Sequence, residues 1–424
     1  MANERLRVLF CDHLNIARGK YLPASKINGG TTRVCQGNFG LTYDKDLIPA
    51  PSSKVLENLP DMEVRFQKSD VRKAWSDNSK VVVAELFEDG KPLAACGRQT
   101  LRRAIKDWNT LGYEPMVGLE LEFFAFQQNA DGKLVPYDTP RSHVYSTGPF
   151  ADPRGFTEAI WNKATALGFN IDSFTTEFDN PQFEFTLTYD KALRAVDDIF
   201  LFRQLAKEVA FAHGIFLTFM PKPISTKGGS GLHVNFSLKD KKGKNAIGQP
   251  DGLSAVAKGC IAGLMHHHQG MAALVAPTVN SYERLKPASL SGYWRNWAVD
   301  HRGVTTRVSA ERGSKARLEH RMGDGAANPF TLVATTLQAA RLGVVNKYKL
   351  PAPESKDCLS EHDATDGVAE NLAGALDALE ADTVLMEAVG KDLCANHIFI
   401  KRDEVMKTSK LEGEALRDFY MLYV

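Results

Sequence analysis

No apolar run in this chain of 424 residues approaches the roughly 20 that a membrane-spanning helix needs. The N-terminal stretch Met-Ala-Asn-Glu-Arg-Leu-Arg has no apolar signal core, so export is not expected. An excess of charge of one sign is missing too: 52 basic residues meet 51 acidic ones, for a net +1. That speaks against nucleic-acid or membrane-surface binding driven by bulk charge. The six cysteines (Cys11, Cys35, Cys96, Cys260, Cys358, Cys394) show no Cys-x-x-Cys spacing. They read as free thiols of a reducing cytoplasm, not as a zinc site or disulfide frame. No Walker A sequence, internal repeat or low-complexity tract occurs. What remains is an ordinary globular composition, 43% hydrophobic and 24% charged, in a chain too long for one core. Two domains of unequal size are expected.

Residues 5–11 predict a strand, followed by a polar loop through Arg18-Gly19-Lys20 and loop signals at Pro23, Gly29-Gly30 and 49–53. Residues 81–87 predict a second strand, closed by the turn Glu88-Asp-Gly-Lys91. Residues 1–95 therefore read as a small α+β domain. The larger domain, 96–424, opens with a helix over 99–111. Further helices are expected at 156–167, 196–213 and 255–274, with strands at 117–124, 216–220, 304–308 and 316–322. A glycine loop enters a strand over 225–238, and 280–287 reads as a loop. A long helix starts at Asn328-Pro329, and a helical tail covers 368–406. His266-His267-His268 falls inside the 255–274 helix. Consecutive helix residues face different directions, so a polar helix face is expected there and not a metal site.

The chemistry gathers around Val117-Gly-Leu-Glu-Leu-Glu-Phe-Phe124, an apolar run with two carboxylates set into it. Strand side chains alternate, so Glu120 and Glu122 point one way and Leu119, Leu121 and Phe123 the other. Like charges in an apolar strand resist desolvation; a pair of hard divalent cations is the simplest offset, a wet edge strand the plain alternative. Glu177, Glu184, His233 and Glu319 stand in similar strand-like surroundings. Five carboxylates and one imidazole suit two six-coordinate sites for Mg2+ or Mn2+. Beside them lie Arg284, Arg302, Arg307, Arg317 and Arg321. Arg317 and Arg321 flank Glu319 at alternate positions and so share its strand face. Arginine suits bidentate contacts to carboxylate and phosphate. Singly, His233 reads as a core histidine and each arginine as a surface charge. As a set, with the amides of the 228–231 glycine loop, they describe a site for an anionic substrate and a nucleoside triphosphate.

These motifs resemble the glutamine synthetase family along almost the whole chain, in the family's order. Gly118-Leu-Glu-Leu-Glu-Phe123 resembles its first metal strand, and Glu177 to Glu184, with Gln182 inside, its second metal segment. Gly229-Ser-Gly-Leu-His-Val-Asn-Phe-Ser237 is similar to its glycine loop and metal histidine, and Asn280-Ser-Tyr-Glu-Arg-Leu-Lys-Pro287 to its flap. Ala316-Arg-Leu-Glu-His-Arg321 with Ala327-Asn-Pro-Phe330 resembles its closing signature. The resemblance implies an α+β fold: a small β-grasp-like N-terminal domain and a larger C-terminal catalytic domain with a curved antiparallel sheet backed by helices. It implies a homo-oligomer of stacked rings with active sites between subunits. It also implies that Glu122, Glu177 and Glu184 hold one metal and Glu120, His233 and Glu319 the other. Arg284 and Arg321 would bind the carboxylates of glutamate, with Gly229 receiving its amino-acid end. Arg302 would contact the phosphoryl group in flight, and Asn235, Ser237, Arg302, Arg307 and Arg317 would hold ATP. Asp12, in a segment similar to the family's N-terminal loop, would take the amine proton from the adjacent subunit. The reaction implied activates the γ-carboxylate of glutamate as an acyl phosphate, which an amine then displaces.

The flap departs from the family. Counting without gaps from Arg284 to Arg302 puts Leu290 where glutamine synthetases carry a glutamate that closes over the ammonium pocket. An apolar wall suits an organic amine better than ammonium, so γ-glutamyl amide formation with a small amine is expected. The alternatives are ammonia-using glutamine synthetase chemistry and a different carboxylic acid. A silent homologue is disfavoured, since all six metal ligands are present. Cys96-Gly97-Arg98 replaces the usual Asp-Pro-Arg at the domain junction, and no tyrosine between Pro353 and Val368 offers itself for regulatory nucleotidylation.

Overall fold

Strand β1 (Arg5–Cys11) is apolar on both faces, and the computed structural model, which describes residues 5–76, 79–249 and 252–424, uses both. Leu6, Val8 and Phe10 enter a small core with Met62, Val64, Leu86 and Leu93, while Leu9 and Cys11 face the large core. β2 (Ala17–Pro23), β3 (Gly29–Cys35), β4 (Asp61–Gln67), β5 (Arg72–Lys73), β6 (Lys80–Val83), β7 (Glu85–Glu88) and β8 (Lys91–Pro92) follow. They form two four-stranded sheets, β2-β1-β6-β5, with β1 and β6 parallel, and β3-β4-β7-β8.

Two expectations change here. The loop expected through Arg18-Gly19-Lys20 is the edge strand β2, whose polar side chains decorate a backbone paired along all of β1. The single strand expected over 81–87 is two. Val81 and Val83 face the large core, Val82 and Ala84 the small one. At Ala84, whose amide bonds to the Leu9 carbonyl at 2.7 Å, the chain leaves one sheet for the other.

Helix α1 (Gly97–Thr110) opens the larger part. A Cβ on Gly97 would lie 2.6 Å from Thr331 Oγ1, so this close approach needs glycine. Arg98 is buried between Glu85 and, at 2.8 Å, Asp197, and ties the two parts together. Next come β9 (Tyr113–Gln128), β10 (Leu134–Pro136), α2 (Phe156–Ala166), β11 (Ile171–Thr176), β12 (Gln182–Lys191) and α3 (Ala192–Ala212). β13 (Phe216–Thr218), β14 (Leu232–Asp240), β15 (Gly248–Gln249), β16 (Gly252–Leu253), α4 (Ala255–His266), α5 (His268–Val275) and α6 (Ser281–Arg284) continue the chain. β17 (Trp297–Val299), β18 (Thr306–Val308) and β19 (Leu318–His320) precede the helices α7 (Pro329–Val345), α8 (Leu372–Ala381), α9 (Thr383–Val389), α10 (Lys391–Thr408) and α11 (Gly413–Met421).

The large sheet runs β11-β12-β9-β14-β19-β18-β17, with β10 and β13 pairing to the long β9. It is antiparallel except between β17 and β18. On its apolar face Phe123 stacks on Phe183 and Phe185, ring centroids 5.7 and 6.0 Å apart. α1 and α3 lie against the sheet, with α7 packed on both. The architecture is α+β, a small N-terminal sheet domain on a larger domain built around one sheet backed by helices. Among the described residues no helix is long and apolar enough to cross a membrane.

The helix expected over 255–274 breaks at His267, where Nδ1 turns to within 2.7 Å of Asp382 Oδ2. His267 and His268 are buried, and His268 Nε2 lies 3.0 Å from the Tyr293 carbonyl. His267 ties this break to the helical tail, and only His266 is exposed, so the triplet is not the polar helix face expected. No metal-ligand cluster among the described residues includes it. The 280–287 loop contains the single turn α6.

Candidate active site

Alternation and register bring the acids together. Glu184 lies opposite Glu122 across β12 and β9, and His233 opposite Glu120 across β14 and β9. Glu319 lies opposite Asn235 on β14 and opposite Arg307 on β18. One face of adjacent strands therefore carries the whole row. His233 Nδ1 lies 3.1 Å from Glu120 Oε2 and 3.7 Å from Glu319 Oε1, and its Nε2 is 3.6 Å from Glu122 Oε1.

Two trios of donor atoms result, Glu120–His233–Glu319 and Glu122–Glu184–His233, each within 4.8 Å. The first is the set expected for one metal. The second contains Glu122 and Glu184 of the other expected set but takes in the imidazole. Glu177, in the loop before β12, falls outside both.

Burial opposes ionisation of Glu120, Glu177 and Glu184, and the neighbours decide the outcome. At Glu120 burial is outweighed by hydrogen bonds from His233 and, at 2.8 Å, from Asn235 Nδ2, and the carboxyl is held at about 2. At Glu184 burial, reinforced by the charges of Glu120, Glu122 and Glu177, pushes it up to about 9. Burial and then the charge of Glu122 raise Glu177 to about 7. The row holds more acid than its own arginines neutralise. Carboxylate oxygens with one imidazole suit Mg2+ or Mn2+, and a dication entering would displace the proton on Glu184.

The supporting groups are close-set. Gln182 Nε2 donates to Glu122 Oε2 (3.2 Å) and to the Gly229 carbonyl (3.0 Å), joining the acids to the glycine loop. Its place two residues before Glu184 in a strand was the signal for a shared face. The Gly231 amide donates to Glu122 Oε2 at 2.7 Å, and a Cβ there would strike His233 Nε2. Asn235 links an acid to an arginine, since its Oδ1 accepts from Arg317 Nε at 3.3 Å. Glu319 is held by Arg321 and, at 3.2 Å, by Arg307, which also bonds Asp300 at 2.6 Å. No sequence signal marked Asp300. Ser237 is half-buried on the same strand as His233 and Asn235, at the same alternation. Arg302 is exposed on the turn before β18, near enough that its charge opposes the upward shift of Glu177. The Leu290 carbonyl accepts from Arg321 Nη2 at 3.4 Å, and its side chain is 42% exposed.

Two of the expected site residues already have partners within the chain. Arg284 is buried with Nη1 on the Met322 carbonyl (2.8 Å) and Nη2 on the Arg321 carbonyl (3.0 Å). Both Nη atoms thus meet backbone carbonyls, which ties Arg284 to the Arg321 segment and uses two of its five N–H donors. Asp12 is fully buried, its Oδ1 accepting from the amides of Leu14 (2.9 Å) and Ile16 (2.8 Å) and its Oδ2 pairing with Arg18 at 2.8 Å. These contacts close its own turn within the chain.

A family model described as "Glutamine synthetase, catalytic domain" matches residues 94–418. The glutamine synthetase of Pyrococcus abyssi is 30% identical over 409 residues, covering 94% of this chain and 89% of that protein. Among solved structures, GmaS, determined without ligand and in complex with ADP, matches with a TM-score of 0.83 at 27% identity, over 98% of this chain and 96% of that chain. A structure described as a novel glutamine synthase homolog shares the fold, with a TM-score of 0.85 at 23% identity over 100% and 99% of the two chains.

Proposed function

The chain belongs to the glutamine synthetase family of carbon–nitrogen ligases, and we propose that it uses ATP to join the γ-carboxylate of glutamate to a small organic amine. In this reading residues 1–95 form the N-terminal domain and 96–424 the catalytic one, in a homo-oligomer of stacked rings. The observation that carries the chemistry is the single row of acids and imidazole on β12, β9, β14 and β19, flanked by Arg307, Arg317 and Arg321.

A carboxylate is a poor acyl donor because its leaving group would be oxide. A γ-carboxylate oxygen attacks the terminal phosphorus of ATP, the bond to ADP breaks, and an acyl phosphate remains. The neutral amine then adds to the acyl carbon, phosphate departs with the C–O electron pair, and the proton shed by nitrogen ends on that phosphate. Glu120, His233 and Glu319 would hold one divalent ion, and Glu122 and Glu184, with Glu177 beside them, the other. Such ions supply charge neutralisation between two anionic reactants. Asn235, Ser237, Arg307 and Arg317 would line the ATP phosphates, and Arg302 would meet the phosphoryl group in transit. Arg321, whose buried Nε has no hydrogen-bond partner, would read a carboxylate of the acid together with Arg284, with the Gly229 backbone at its amino-acid end.

Leu290 on the flap supports an organic amine over ammonium, because an alkyl group gains from an apolar wall and ammonium does not. The test is phosphate release with ATP, Mg2+ or Mn2+ and glutamate against ammonium, methylamine, ethanolamine, longer alkylamines, putrescine and spermidine. Turnover with one organic amine well above ammonium is expected. Ammonium winning makes the protein a glutamine synthetase with an altered flap, and no release with any of them removes glutamate as the acid.

A further inference from the structure

The turn that carries Arg302 is held by a segment with no part in the chemistry described above. Residues 351–367 cross the outer strands without helix or strand of their own. Glu354 anchors this strap. Buried, it accepts from the amides of Asp363 (2.7 Å), Lys356 (3.2 Å) and Ala364 (3.3 Å) and from Asn296 Nδ2 (3.0 Å). From that anchor the strap meets the turn at close quarters. The Lys356 carbonyl lies 2.8 Å from His301 Nε2. On the other edge of the same ring the Gly303 amide donates to Nδ1 at 3.0 Å. Gly303 has no room for a side chain, since a Cβ would lie 2.7 Å from Cys358 Cβ and 2.8 Å from both the Asp357 carbonyl and His301 Cε1. Ala298, Val304 and Cys358 bury a small apolar cluster between turn and strap.

Those two bonds fix the state of the ring. Nδ1 accepts and Nε2 donates, which is the neutral imidazole with its proton on Nε2. His301 therefore bridges strap and turn, with Arg302 as the exposed residue between His301 and Gly303. The backbone of the turn sets the point from which the Arg302 side chain reaches, and a group displaced by about 1 Å from its reacting partner can lose on the order of 100-fold in rate.

We propose that His301 is the positioning residue for Arg302: by tying the 300–303 turn to the strap, it delivers the guanidinium to the phosphoryl group in transit. This rests on the reading in which Arg302 contacts that group.

The experiment is steady-state phosphate release by the full chain with ATP, Mg2+, glutamate and its best amine. His301→Ala should lower kcat roughly 10- to 100-fold while KM for ATP and glutamate stays within about twofold. His301→Gln, which carries a donor and an acceptor on one amide, should recover much of the loss. In an Arg302→Ala background His301→Ala should add nothing, because the two act as one unit. Gly303→Ala, whose Cβ would press on the strap at Cys358 and Asp357 and on the His301 ring, keeps the histidine in the chain but pries strap and turn apart, and should reproduce the loss of kcat; it also covers the case in which His301→Ala does not fold. Full kcat in His301→Ala or in Gly303→Ala, with Arg302→Ala inactive, overturns the clamp alone. A further loss from His301→Ala on top of Arg302→Ala overturns it as well. Arg302→Ala with full turnover overturns both the clamp and the role given to Arg302.

Discussion

Glu184 lies directly opposite Glu122 in the β12–β9 register, so two carboxylates face each other across a sheet, with Glu120 two residues along on the same face. Like charges at facing cross-strand positions destabilise a sheet, and nothing in the packing of these strands requires them. Burial together with the charges of Glu120, Glu122 and Glu177 lifts Glu184 to about 9. The metal-free native protein keeps a proton there that the unfolded chain, with a carboxyl pKa near ~4.3, has already lost at neutral pH.

Between about pH 4.5 and 9 the metal-free native state binds more protons than the unfolded one, so its stability falls as pH rises. Glu177, raised to about 7, acts in the same direction over the lower part of that window. In EDTA the Tm should drop by roughly 5 °C between pH 6 and 9. Glu184→Gln should flatten the curve, and Mg2+ or Mn2+ should suppress the slope by taking the place of the proton. Calorimetry across that range with and without metal decides it. A metal-free Tm that climbs with pH contradicts the charge balance of the row.

Glu319 joins both halves of the site, held by Arg321 and Arg307 and facing His233 at 3.7 Å. Glu319→Ala should abolish phosphate release, weaken Mg2+ binding measured by calorimetric titration, and destabilise the fold by about 3 kcal/mol, because the nearly buried Arg321 guanidinium loses its partner. Glu311→Ala is the control. Its pair with Arg317 is 42–45% exposed on both sides, and its loss should cost less than about 0.5 kcal/mol. Intact ATP turnover in Glu319→Ala would end the metal assignment.

Most of this site was legible because it rests on short-range periodicity. Glu120 and Glu122 in an apolar strand, or Arg317, Glu319 and Arg321 at alternate positions, declare a shared face whatever the rest of the chain does. What sequence could not carry was who occupies whom. Arg284 reads as a free cation until α6 sets its fork against the carbonyls of Arg321 and Met322. Asp12 looked available, yet an aspartate heading a tight turn characteristically caps its own backbone, and here it does so at Leu14 and Ile16. The break at Ala84 was hidden for another reason. A run buried on both faces shows no alternation to mark where it changes sheets.

Gly231 gives a test that leaves every charge in place. A Cβ there would strike His233 Nε2 and sit 2.8 Å from Arg284 Nη2. Gly231→Ala should therefore rotate the imidazole out of both trios, weaken metal binding about 10-fold or more, and leave Tm within a few degrees. Metal affinity equal to that of the unaltered protein would place the functional ligands away from His233.

Leu290 is the residue on which the proposed choice of amine rests. Its backbone is left-handed (φ 54°), a conformation that costs a branched side chain about 1 kcal/mol, and its side chain is 42% exposed, so packing does not explain it. Its carbonyl meanwhile accepts from Arg321, whose guanidinium also holds Glu319 of the acid row. An apolar side chain held in strain at the mouth of a charged site gains most by meeting an apolar part of a ligand. Leu290→Glu should lower kcat/KM for the preferred organic amine at least about 10-fold and raise turnover with ammonium relative to it. Leu290→Gly should relieve the backbone and remove the wall, raising KM for the amine with kcat little changed. An amine preference unmoved by Leu290→Glu would place the apolar wall elsewhere.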